Sequence, residues 1–137
     1  MDAVALRVAL ESFLGNAQFR KFVRQGFGRG RLRYWQQEEW DRFVAAHPQY
    51  EVSMSELETA LRICDLHAEE LLPDTAEVFH GNLDYADWYI QARTRLFPHA
   101  AEDAVSTEGT SITGERVAVW YCAACRAARA EWQAKRG

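Results

Sequence analysis

The sequence predicts an α+β fold: a helical N-terminal half followed by a smaller C-terminal half built on a β-hairpin and a metal-ligand knuckle. Three observations carry that prediction. Apolar residues recur at helical spacing from Leu6 to Cys64, whereas two later stretches, "DTAEVFHG" and "ERVAVWY", read as strands. All three cysteines fall in the short motifs "ICDLH" and "WYCAACR", which bracket the mixed half. With 137 residues, no internal repeat and no obvious linker, one domain is expected, helical over about 1–63 and metal-binding over about 64–137.

The elements follow in order. Leu6, Leu10, Phe13 and Leu14 mark one helix face, and Phe19, Phe22 and Val23 a second. Three glycines in "GFGRG" interrupt the pattern, because glycine is too permissive to continue a helix there. Trp40, Phe43 and Val44 restore it in a helix expected from about Gln36 and ending before Pro48. Ser53 stands three residues before Glu56, the spacing of a capping box. The helix it starts is expected to bury Leu57, Ala60, Leu61 and Cys64, with Cys64 at its end.

Beyond it, Asp74–Gly81 reads as a short strand. Tyr85, Trp88, Tyr89, Ala92 and Leu96 are expected on one helix face that ends before Pro98. Residues 100–113 lack periodicity and read as a loop. "ERVAVWY" alternates as a strand, and the last helix is expected from about Cys122, with basic residues at its C-terminus where the helix dipole favours them.

The chemistry lies in the cysteines. Cys64 and His67 form C-x2-H; after 54 intervening residues Cys122 and Cys125 form C-x2-C. A two-residue spacer lets both side chains of each pair meet one ion, and together the pairs supply a tetrahedral Cys3His set. Thiolate and imidazole suit Zn²⁺ rather than Mg²⁺ or Ca²⁺, which take oxygen ligands. "WYCAACR" superficially resembles a redox W-C-x-x-C, but twelve residues after Cys125 and no βαβ pattern leave no room for that fold. A zinc-dependent hydrolase would need an open metal position and a carboxylate base. Asp65, Glu69 and Glu70 lie near Cys64 and His67, yet no H-E-x-x-H is present.

The frame C-x2-H-x3-L, R-x-x-L-F-P-x-A and Y-C-x2-C-R over residues 61–132 resembles a group of small bacterial proteins. The resemblance implies zinc binding by Cys64, His67, Cys122 and Cys125, and carries no activity with it. Where relatives often have a further cysteine, this chain has "EDAVSTEGTS". The layout also resembles a treble clef in outline, a fold-level likeness that does not specify function.

Charge supplies the remaining expectations. Residues 1–36 carry +5, residues 37–115 carry −13 and the tail from Arg116 carries +4. Arg20, Lys21, Arg24, Arg29, Arg31 and Arg33, interleaved with Phe27, Tyr34 and Trp35, form a candidate nucleic-acid-binding segment. The pI of about 5.6 argues against that reading, and a surface for a protein partner is the other expected role. No membrane span or signal peptide is apparent in the sequence, so a cytoplasmic location and no membrane association are expected.

Overall fold

The computed structural model describes residues 1–28, 30–80, 84–107 and 115–136. The chain divides into two compact units, Met1–Leu66 and His67–Gly137.

The first unit is helical. Helix α1 (Ala3–Leu14) starts where the Asp2 carboxylate accepts the Ala5 N–H at 3.1 Å. Gly15, at φ +86°, lets the chain turn directly into α2 (Asn16–Gln25). Helix α3 (Tyr34–Ala46) begins two residues earlier than the apolar pattern implies. The reason is Gln36, whose Oε1 accepts the Arg33 N–H at 2.8 Å. Its Nε2 donates to the Phe22 and Gly26 carbonyls at 2.9 and 3.1 Å. Gln36 is fully buried, so its side chain ties the glycine-rich turn to two helices. A 3-10 turn (Pro48–Tyr50) follows, and Tyr50 stacks on Phe43.

The capping box at Ser53 forms as expected: Ser53 Oγ accepts the Glu56 N–H and Glu56 Oε1 accepts the Ser53 N–H. The helix it starts, α4 (Met54–Ala60), is shorter than expected. The Leu61 and Arg62 amides close it by donating to Leu57 and Thr59, and Arg7 Nη1 donates to the Ala60 carbonyl at 2.9 Å. Cys64 is therefore not the last residue of a helix but lies beyond it in irregular chain, still fully buried. Leu6, Leu10, Phe19, Phe22, Trp40, Phe43 and Leu57 dominate the core of this unit.

The second unit is mixed. It runs β1 (Leu72–His80), α5 (Asp87–Leu96), β2 (Val105–Thr107), β3 (Arg116–Tyr121) and α6 (Ala123–Arg136). The sheet order is β2-β1-β3. β1 and β3 pair antiparallel from Leu72↔Tyr121 to Glu77↔Arg116, with α5 and β2 between them in sequence. β2 pairs parallel with β1 from Val78↔Val105 to His80↔Thr107. The expected loop thus contains a strand, which its lack of periodicity concealed; residues 108–113 of it, like Gly81, lie outside the described residues. Helix α5 ends before Pro98, but its apolar face is divided. Ala92 is buried, whereas Trp88 is 53% exposed and Leu96 38%. Among the described residues no helix is long and apolar enough to cross a membrane.

Candidate metal centre

Two candidate donor types, thiol and imidazole, converge at the start of α6. Cys122 occupies the position before its first turn, and its carbonyl accepts the Arg126 N–H at 3.1 Å. Cys125 follows one turn later, so both thiols share one face of the helix end. The Cys122 N–H donates to the His99 carbonyl at 2.8 Å. That bond fixes the turn to the Phe97–Ala100 segment, whose Phe97 and Ala100 are buried. His67 enters from the chain preceding β1, and the next residue, Ala68, adopts φ +59°. A non-glycine residue in that left-handed region costs about 1–2 kcal/mol, so the turn after His67 is held against a local preference.

The two His67–sulfur distances are close to those of a tetrahedral site. His67 Nδ1 lies 3.7 Å from Cys122 Sγ and 3.3 Å from Cys125 Sγ. For a zinc ion with Zn–S of about 2.3 Å and Zn–N of about 2.0–2.1 Å, tetrahedral geometry separates nitrogen and sulfur by about 3.6 Å. Cys64, three residues before His67 on the same stretch of chain, completes the set, and the ligand atoms of all four residues lie within 4.8 Å of one another. The three cysteines are fully buried, His67 is half-buried, and no disulfide joins any of them.

Polar groups surround the thiols: Glu69 Oε2 lies 3.8 Å from Cys122 Sγ, placed to accept the thiol hydrogen. The Cys125 N–H points at Cys122 Sγ and the His99 N–H at Cys125 Sγ, each at 3.4 Å. Backbone N–H groups aimed at sulfur and the N-terminal end of α6 favour negative charge on the thiols, whereas the Glu69 carboxylate opposes it. Glu69 Oε2 accepts the Ala124 N–H at 3.3 Å and so satisfies one of the open amides of α6. These outer contacts from His99 and Glu69 were not legible in the sequence, where Glu69 reads only as a carboxylate near Cys64 and His67.

No protein-family model, curated protein or solved structure matches this chain. The site is therefore read from its own geometry.

Within α6, Arg126 stacks 3.6 Å above the Tyr121 ring, donates from Nε to the Ala100 carbonyl at 2.8 Å and pairs with Asp74 at 2.8 Å. The Asp74 carboxyl is held below its ordinary range, first by the Thr75 N–H and then by Arg126. These contacts secure the first turns of α6, and with them the two cysteines.

The basic segment presents a different picture. Arg20 Nε donates to the Asp65 carbonyl at 2.8 Å, and Lys21 Nζ sits 4.8 Å from the centre of the Trp35 ring. Trp35 packs edge-on against Phe22 and donates to Gln25 Oε1 at 2.7 Å, while Phe27 packs on the core. Arg24, Arg31 and Arg33 are exposed, and Arg29 lies outside the described residues. Of the three aromatic residues expected to stack on bases, only Tyr34 is largely exposed, at 80%.

Proposed function

We propose that Cys64, His67, Cys122 and Cys125 hold one zinc ion whose role is structural, and that the chain acts as a binding module for a protein partner. The observation that carries the metal reading is the convergence of two sequence-distant pairs within 4.8 Å. The donor set, three thiolates and one imidazole, selects zinc among the common divalent ions. Four protein ligands fill a tetrahedron and leave no position for a water nucleophile, which favours a structural ion over a hydrolytic one. Trp88, Trp120 and Phe79, each 44% exposed or more, support the partner-binding half, since such aromatic groups anchor interfaces.

Elemental analysis of purified protein tests the metal. One zinc per chain is expected in the wild type and loss of it in Cys122→Ser; metal-free wild type overturns the reading. The partner half is tested by affinity capture followed by isolation of a stoichiometric complex, and failure to isolate one from the native source overturns it.

A further inference from the structure

We propose that Trp88 and Trp132 form a platform on the second unit that binds a guanidinium side chain from a basic segment of a protein partner. The proposal rests on the reading of the chain as a protein-binding module and adds the chemistry of what it binds.

The platform is prepared in advance. The Trp88 and Trp132 rings lie 5.9 Å apart at an interplanar angle of 32°. Trp132 is backed by the fully buried Phe97 at 5.5 Å, and Trp88 meets Tyr89 edge-on. Rings braced in this way offer a fixed face at little entropic cost. Beside them opens a space of about 400 Å³ lined by Trp88, Tyr89, Trp132, Gln133 and Arg136.

The chain itself shows which chemistry fits. The guanidinium carbon of Arg136 sits 3.6 Å from the centre of the Trp88 ring and 5.1 Å from that of Trp132. A planar cation over an indole face is the favoured pairing for both groups. Two other arginines of this unit also meet aromatic rings, but each is anchored elsewhere: Arg126 on Asp74 and Ala100, Arg93 on Asp103 at 3.0 Å. Arg136 belongs to the last turn of α6, where helices fray, so its place on Trp88 is the one most readily exchanged. The exposed Asp84 and Asp87 precede Trp88 in the stretch that carries −13, while Trp132 and Arg136 lie in the tail that carries +4. Arg136 is an internal stand-in for an arginine supplied from outside.

The test is a titration of the zinc-loaded full chain with the peptide Gly-Arg-Gly-Arg-Gly, followed through the indole N–H signals by NMR, with lysine and glutamate versions as controls. Saturable shifts of Trp88 and Trp132 are expected with the arginine peptide, smaller ones with lysine and none with glutamate. Trp88→Ala, at an exposed position, should abolish the response. Arg136→Ala should strengthen binding by about two- to five-fold, the factor an exposed cation–π contact supplies. An unchanged response in Trp88→Ala, or no gain in Arg136→Ala, overturns the proposal. Zinc content is measured on the same samples. Metal loss there counts against the metal centre, whereas metal-loaded protein that ignores the arginine peptide counts against the platform.

Discussion

Chelating the metal is expected to unfold the second unit and leave the first folded. The two differ sharply in what their cores supply. The first buries eleven apolar residues in one cluster, among them Phe19, Phe22, Trp40 and Phe43. Among its described residues the second buries, besides Cys122 and Cys125, only Ala76, Ala92, Phe97 and Ala100. One phenyl ring and three methyl groups contribute about 5 kcal/mol when removed from water. Structural zinc supplies about 10–16 kcal/mol of apparent binding energy to small finger domains. On the proposed zinc reading, a unit of about 70 residues with so thin a core is expected to depend on such a staple. Backbone hydrogen exchange distinguishes the units directly. With a chelator, or in Cys122→Ser, the amides of β1, β3 and α6 should lose protection while those of α1 and α3 keep theirs. Far-UV dichroism should retain the helical signal of the first unit. If the β1–β3 amides stay protected after the metal is removed, the inference from the thin core is refuted.

Further outcomes follow from single residues. Gln36→Leu takes the donor from the Phe22 and Gly26 carbonyls and the acceptor from the Arg33 amide. It should cost about 2–4 kcal/mol in the denaturant unfolding of the first unit and leave zinc stoichiometry unchanged. Burial, and then Asp103, which accepts the Tyr89 hydroxyl at 2.7 Å, raise the Tyr89 pKa above its ordinary 10.0. The folded state thus holds that proton longer than the unfolded one. Its contribution is complete below pH 10, falls away as pH rises through the raised value, and should vanish from the alkaline melting profile of Tyr89→Phe. Ala68→Gly relieves a left-handed alanine beside His67. Thermal melting should show it neutral or stabilising by up to about 1 kcal/mol, whereas marked destabilisation would mean that the alanine methyl is needed there.

Much of the local structure was legible from short-range rules. Ser53 and Glu56 cap α4 because a hydroxyl and a carboxylate at that spacing satisfy helix-end amides whatever surrounds them. Pro48 and Pro98 end α3 and α5 for an equally local reason. The rules fell short where distant groups intervened. Helix α4 stops early, closed by its own amides and capped by Arg7 from another helix, and α3 starts early on account of the buried Gln36. β2 forms because three residues find a parallel partner in β1, a pairing that no periodicity in "VST" announces.

The sequence by itself determined the donor chemistry on offer: three cysteines and a histidine in two x2-spaced pairs, a set suited to a soft, tetrahedral ion. Only the tertiary structure decided that the pairs meet, since 54 residues of intervening chain can be folded in many ways. It also decided what surrounds them. The His99 amide on Cys125, Glu69 on the first turn of α6 and the exposed Trp88 all depend on packing between elements, and a linear pattern does not encode distance through space.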